Sequence, residues 1–66
     1  MKLTVNGEAH EIAADSRVPA LLAHLGARAE RSAVVVNGEV VRRARWAEVI
    51  LQEDDVVDIL VFAGGG

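Results

Sequence analysis

The tetrapeptide Val-Asn-Gly-Glu occurs twice in this chain of 66 residues, at positions 5–8 and 36–39. Asn-Gly is the strongest two-residue signal for a type I′ turn, because both central positions of that turn need a positive φ. The residues around the two copies differ, so the copies are not a tandem repeat. Each copy is instead predicted to form the turn of a β-hairpin, so the fold of this chain must contain two β-hairpins.

The first hairpin joins a strand with Leu3 and Val5 facing inward to a return strand that points Ile12 into the core. In the second hairpin, residues 33–36 form an unbroken apolar run. Such a run is typical of a strand buried on both faces. A short strand at residues 40–42 completes the hairpin.

A helix is predicted between the two hairpins. Apolar residues recur there at the helical spacing i, i+3, i+4 and i+7, at Val18, Leu21, Leu22 and Leu25. The residues that fit its ends are Pro19 in the first turn, Gly26 at the C-cap, and Asp15 or Ser16 at the N-cap.

The last third of the chain contains a segment with two interpretations. Residues 43–52 have apolar spacing that fits a helix, yet a segment this short also fits a single 3₁₀ turn. Residues 53–55 form an acidic turn, and residues 56–62 are predicted to form the closing strand.

Strict alternation along the closing strand predicts which side chains face the core. Val57, Ile59 and Val61 are expected inward. Leu60 and Phe62 then lie on the exposed face, where two large apolar side chains next to the chain end predict a partner-binding patch.

The element order is thus two strands, a helix, two strands, a turn and a final strand. The long apolar run of the final strand favours a central position, parallel to the first strand, with the helix across one face. The predicted fold is α+β, a β-grasp (ubiquitin-like) domain with a mixed four- to five-stranded sheet. Residues 1–63 are expected to form this domain, and residues 64–66 a flexible glycine tail.

Several classes of function are disfavoured by composition. The chain has no cysteine, so it has no thiol of its own, and its net charge of −3 disfavours nucleic-acid binding. Glu39 and Glu48 flank the basic residues Arg42, Arg43 and Arg45, which are interpreted as a solvated face or a partner contact. Neither a leader nor an apolar run near the ~18 residues of a membrane span is present, so a cytoplasmic location is expected.

The body of the chain offers few groups for catalysis. His10 and His24 are expected on different elements and lack metal-ligand spacing, and Trp46 is expected in the core. The acidic turn lacks the spaced oxygens of a calcium loop. No local base accompanies the three hydroxyl residues, Thr4, Ser16 and Ser32. We therefore expect no catalytic residue, no metal and no cofactor, and the chain is not predicted to be an enzyme.

The remaining candidate is the sequence end, Gly64, Gly65 and Gly66. Glycines adopt any φ and ψ and fit a channel too narrow for a Cβ, which suits Gly64 and Gly65 for threading into a partner. The α-carboxylate of Gly66 is ionised at neutral pH and is a poor acyl donor. Joined to AMP by a partner enzyme, it becomes an electrophile that sulfide, a persulfide or an amine can attack.

The chain resembles the ThiS family, the sulfur carriers of thiamine biosynthesis, over nearly its full length. The resemblance is carried by the first hairpin at residues 5–8, the helix at residues 18–25, the stretch Val-Val-Val-Asn-Gly-Glu-Val-Val at residues 34–41, Arg45-Trp46, and the Gly-Gly end. A turn at residues 51–55 also matches.

This resemblance implies a function for the glycine tail. A ThiF-like enzyme would adenylate Gly66, and a sulfur donor system fed by a cysteine desulfurase would convert the carboxylate to a thiocarboxylate. That species would supply the sulfur of the thiazole ring at a ThiG-like thiazole synthase. Membrane and nucleic acid are not among the implied partners.

Two positions depart from the family pattern. Gly-Asp is common in the last turn of ThiS-like sequences, where this chain has Asp54-Asp55, which is expected to preserve the turn at a small cost. A threonine commonly caps the helix where Arg17 stands, so Ser16 or Asp15 is left to cap it.

Three other functions remain open at the level of sequence. A MoaD-like carrier for molybdopterin synthesis would share the fold and the tail, although such chains tend to be longer. A ubiquitin-like modifier would be joined through Gly66 to lysines of target proteins. A β-grasp binding module with an inert tail would be unaffected by deletion of Gly65 and Gly66.

Overall fold

A computed structural model of the protein describes residues 1–63. Its strands are β1 (Lys2–Val5), β2 (Glu8–Glu11), β3 (Ser32–Val36), β4 (Glu39–Val41) and β5 (Val56–Val61), and its helix is α1 (Val18–Leu25). The strand order in the five-stranded sheet is β2-β1-β5-β3-β4. The closing strand β5 is central, parallel to β1 and antiparallel to β3, as the sequence predicted. The β-grasp fold is confirmed.

Both Asn-Gly pairs form the predicted hairpin turns. Asn6 and Gly7 have φ values of 49° and 83°, and Asn37 and Gly38 have φ values of 51° and 85°. Positive φ at both central residues is the mark of a type I′ turn, whose twist matches that of the flanking strands. The repeated tetrapeptide therefore encodes the same turn at two places in the sheet.

The helix ends as predicted but begins differently. Gly26 adopts the left-handed conformation with φ 70°, and its N–H donates to the carbonyl of Ala23. The N-cap, however, is Arg17, with no capping side chain. The prediction of Asp15 or Ser16 is wrong because the Ser16 hydroxyl donates instead to the carbonyl of Ala13 at 2.6 Å.

The ambiguous segment at residues 43–52 contains a 3₁₀ turn, Arg43–Arg45, rather than an α-helix. Trp46 follows it and is a core residue, 5% exposed, whose indole N–H donates to the carbonyl of Val41 at 2.9 Å. A second 3₁₀ turn, Ala29–Arg31, lies in the connection before β3. Both turns have three residues, the usual length of a 3₁₀ turn, because longer runs eclipse the side chains at i and i+3 and have poor hydrogen-bond geometry.

The core lies between α1 and one face of the sheet. It contains ten buried hydrophobic residues, Leu3, Val5, Val18, Leu21, Leu22, Val34, Trp46, Leu51, Val57 and Ile59, with Ile12 packed against them. Val61 was expected to face inward with Val57 and Ile59. It lies on their side of the strand but outside the core, because 63% of Val61 is exposed. The reason is that β1 stops beside Val57, so the final residues of β5 have a strand neighbour on one side only.

The acidic turn before β5 contains a strained residue, and this gives a first testable prediction. Asp54 has φ 67°, in the left-handed region that costs most residues with a Cβ about 1–2 kcal/mol. We expect the free energy of unfolding in urea to fall in the order Asp54→Gly, wild type, Asp54→Ala, with the two variants about 1 kcal/mol apart. An alanine variant as stable as the glycine variant would contradict strain at this position.

No helix among residues 1–63 is both long enough and apolar enough to cross a membrane.

Candidate functional site

The sheet face opposite the helix is uncovered and carries an apolar patch. We call this surface the outer face; its exposed hydrophobic residues are Val40, Val56 and Leu60 on the strands and Phe62 directly after β5. Leu60 and Phe62 are 56% and 54% exposed, so the exposure predicted for both side chains is confirmed. Asp58 lies on the same face, between Val56 and Leu60 along β5.

Cross-strand pairing joins these residues into one surface. Leu60 pairs with Ala33 of β3, and Val35 of β3 pairs with Val40 of β4, so an apolar band crosses three strands. Ala33 and Val35 are only half-buried, because α1 covers the other face alone. The prediction that residues 33–36 are buried on both faces is therefore wrong, and the uncovered band is available to a partner.

Sequence reasoning missed Val40 and Val56 as members of the outer face. Both are exposed, at 72% and 47%. The alternation of β5 already placed Val56 on the same side as Leu60. Val40 could have been found only from the β3–β4 register, which the type I′ turn at residues 36–39 specifies.

The strand that carries the outer face is held from both sides by the two turn asparagines. The side-chain amide oxygen of Asn6 accepts a hydrogen bond from the N–H of Ile59 at 2.8 Å, and its NH₂ donates to the Ile59 carbonyl at 3.3 Å. On the other side, the Asn37 amide oxygen accepts the N–H of Val56 at 2.9 Å, and its NH₂ donates to Asp55 at 2.9 Å. These contacts extend the sheet beyond the last paired residue of each neighbouring strand.

The end of β5 is held on one side only. Ser32 pairs with Val61, and the N–H of Phe62 donates to the Arg31 carbonyl at 2.7 Å. Ser32 is itself buried, and its hydroxyl donates to the Arg28 carbonyl at 2.6 Å. Phe62 therefore has a defined backbone position two residues before the first glycine, Gly64.

The predicted reactive and threading residues, Gly66, Gly65 and Gly64, lie outside the described residues, and so does the boundary between the domain and the tail. Leu60 and Phe62, the predicted partner-binding residues, precede them by only a few positions in the sequence.

Two histidines that the sequence placed on separate elements meet in the structure. The rings of His10 on β2 and His24 in the last turn of α1 are 5.7 Å apart in an edge-to-face arrangement, and a Glu8 carboxylate lies 3.8 Å from His10. In residues 1–63, no group of three or more His, Cys, Asp or Glu side chains is placed to hold a metal ion. The contact was missed because helix docking, not local spacing, brings the two rings together.

The fold and the surface define a class of protein: a small ubiquitin-like domain with an apolar patch on its sheet, close in sequence to three C-terminal glycines. Comparison with known families is more specific: the model of the ThiS family matches residues 3–66. The chain belongs to the ThiS family.

Individual relatives agree with this assignment. The chain is 32% identical to the sulfur carrier protein ThiS of Escherichia coli over the whole of both chains. A crystal structure of the thiamine biosynthesis protein ThiS from Geobacter metallireducens matches with a TM-score of 0.83 and 39% identity, over the whole of both chains.

A second kind of relative is much longer. The whole chain matches thiazole synthases from Magnetococcus marinus and Paramagnetospirillum magneticum with 42% and 39% identity. The chain spans only 20% of the length of each of these proteins. A domain of this kind therefore also occurs as one segment of a larger protein.

Proposed function

We propose that this chain is the sulfur carrier that supplies sulfur for the thiazole ring of thiamine, and that its α-carboxylate at Gly66 is the carrying group. The observation that supports this most is the family match, which runs to residue 66 and so includes the glycines. The E. coli relative is a sulfur carrier by its own name. This chain would then act in the cytoplasm as a co-substrate rather than an enzyme.

The proposed chemistry has two steps. First, a carboxylate oxygen of Gly66 attacks the α-phosphorus of ATP on a ThiF-like adenylating enzyme, and pyrophosphate leaves. Second, hydrogen sulfide ion attacks the acyl carbon, AMP leaves and one proton is released, so that a thiocarboxylate replaces the carboxylate. Because the chain has no cysteine, the sulfur must come from a donor outside it.

The described part of the chain supports a division of labour between body and tail. The outer face offers exposed apolar area around Leu60 and Phe62 for binding a partner, while Gly64 and Gly65 would pass through a narrow channel to the nucleotide site. Binding through the body can hold the carboxylate near the α-phosphate without any catalytic group of its own.

The thiazole synthase relatives favour the thiamine route over the other sulfur carriers. In these proteins, a segment similar to this chain is joined covalently to the rest of a thiazole synthase. A covalent link raises the effective concentration of two parts that must meet. A ThiG-like synthase is accordingly the proposed acceptor of the sulfur.

Intact-mass analysis tests this proposal. After incubation with ATP, a ThiF-like adenylating enzyme and sulfide, we expect the mass to rise by the difference between one sulfur and one oxygen atom. Tandem fragmentation should place the change on Gly66. A chain lacking Gly65 and Gly66 is the matched control and should fold normally but gain no sulfur.

Other products would contradict the proposal in distinct ways. An isopeptide adduct on a lysine of another protein would identify a modifier instead of a sulfur carrier. Sulfur transfer to a molybdopterin precursor, with none to a ThiG-like synthase, would show that the chain supplies sulfur for molybdopterin synthesis and not for thiamine. An unmodified terminus with every adenylating enzyme tested would reject the carrier function itself.

A further inference from the structure

The charges of this chain are segregated. Residues 28–31 and 42–48 contain five arginines and two glutamates, a net charge of +3. The other residues contain two basic and eight acidic side chains, a net charge of −6, which together with +3 gives the −3 of the whole chain. We call the five basic residues the arginine cluster: Arg28, Arg31, Arg42, Arg43 and Arg45.

The sheet topology brings both parts of the arginine cluster to one end of the molecule. Residues 28–31 precede β3, residues 42–48 follow β4, and β3 and β4 are antiparallel. Because β5 is antiparallel to β3, its last residues lie at this same end, where Arg31 accepts the N–H of Phe62 at 2.7 Å. The arginine cluster therefore lies where β5 ends and the glycines follow.

Direct contacts join the two parts of the cluster. The guanidinium of Arg43 donates to the carbonyl of Ala29 at 2.9 Å and lies 5.5 Å from the centre of the Trp46 ring. Arg45 lies 3.8 Å from Glu48. The Arg43 hydrogen bond holds the turn Arg43–Arg45 against the turn Ala29–Arg31, so the two parts of the cluster form one surface.

The remaining arginines are available to a partner. Within residues 1–63, the side chains of Arg28, Arg31 and Arg42 make no hydrogen bond or ion pair, and all three residues are exposed. Arg42, Arg43 and Arg45 also line an open groove of about 700 Å³. Val40 lines the same groove and belongs to the outer face, so the basic and apolar surfaces are continuous.

We propose that the arginine cluster binds a carboxylate-rich surface of the adenylating enzyme, next to the apolar contact made by the outer face. This inference rests on the proposed function, because it names a contact of that same partner. Guanidinium groups bind carboxylates through paired hydrogen bonds, and here they stand at the rim of an apolar patch, as in protein interfaces.

A nucleic acid fits this surface less well than an acidic protein does. The eight carboxylates on the rest of the chain repel a long polyanion, while a local acidic patch need meet only the basic end. Trp46 is 5% exposed and cannot stack on a base. The charge segregation also orients the carrier during encounter, with the glycine-bearing end toward the enzyme.

Association kinetics with a ThiF-like adenylating enzyme test the inference. Arg31→Glu/Arg42→Glu changes the net charge by −4. The control, Ala14→Glu/Ala20→Glu/Ala23→Glu/Gln52→Glu, makes the same change at exposed positions away from the cluster and the outer face. At low salt we expect kon to fall about tenfold in the arginine variant and less than threefold in the control, with the wild-type kon decreasing as salt is added. Circular dichroism melting checks that both variants are folded.

The outcomes separate this inference from the proposed function. If thiocarboxylate forms but the two variants have equal kon, or the wild-type kon is independent of salt, the acidic docking surface is rejected and the carrier function stands. If a 20-base-pair DNA duplex binds the wild type and competes with the enzyme, the occupant of the cluster is a nucleic acid and the inference is overturned. If no thiocarboxylate forms with wild type, the proposed function itself fails.

Discussion

Phe62→Asp is expected to lower the kcat/KM of adenylation about 30-fold while leaving the free energy of unfolding within about 0.5 kcal/mol of wild type. Phe62 is 54% exposed next to Leu60, so a carboxylate there meets water in the free protein. If Phe62 contacts the adenylating enzyme as proposed, the carboxylate would be desolvated against an apolar surface in the complex. Loss of an aromatic contact at the centre of an interface costs about 2 kcal/mol or more, which corresponds to the 30-fold change. The rate of adenylation is measured from the release of pyrophosphate, and the free energy of unfolding from urea titration.

Val61 supplies the matched control for this experiment. It stands between Leu60 and Phe62, is 63% exposed, and points to the opposite face of the strand. We expect Val61→Asp to be adenylated with nearly the kcat/KM of wild type. Leu60→Asp should show a loss of kcat/KM similar to that of Phe62→Asp. Equal losses in all three variants would show that general disturbance of the strand, not the outer face, is responsible. Unfolding of Phe62→Asp would show that this side chain belongs to the core.

The second large effect concerns stability. Asn6→Ala is expected to lower the free energy of unfolding by about 2–4 kcal/mol. It removes both amide hydrogen bonds to Ile59, each with a net contribution of about 0.5–1.5 kcal/mol, and leaves a Cβ-bearing residue at φ 49° without a compensating contact. For a small domain with a total stability of about 5–15 kcal/mol, this is a large fraction.

Three substitutions at this position separate the two causes. Asn6→Gly relieves the backbone strain but removes the amide, so it should lose less than Asn6→Ala. Asn6→Asp keeps the acceptor for the Ile59 N–H and should lose least. Equilibrium urea unfolding with an unchanged m-value provides the comparison. If Asn6→Ala lowered the free energy of unfolding by less than about 0.5 kcal/mol, the Asn6 amide would not contribute to holding β5 in the sheet.

The parts of the fold that depend on local chemistry were predictable. The Asn-Gly turns, the helical stripe of α1, its glycine C-cap and the central position of β5 all follow from residue type and period. The exposure of Leu60 followed from alternation alone. The reactive role of Gly66 stays a prediction, because residues 64–66 lie outside the described part of the chain.

What could not be predicted depends on which element covers or reaches a residue. The exposure of Val61 follows from the early end of β1, which nothing in residues 56–62 reveals. The Asn6 and Asn37 amides were recognised only as turn formers, although each also bonds to β5 across the sheet. The His10–His24 contact likewise required the docking of α1 on the sheet.

The central position of β5 has a mechanical consequence for a carrier that is pulled by its end. A force applied through the glycines first reaches the end of β5, which is paired with β3 alone, and then the part of β5 that also lies beside β1. The load is then shared among the hydrogen bonds of two neighbours and the Asn6 and Asn37 amides, instead of peeling off an edge strand one bond at a time. If residues 64–66 are drawn into a partner's channel as proposed, this arrangement is expected to keep the domain folded.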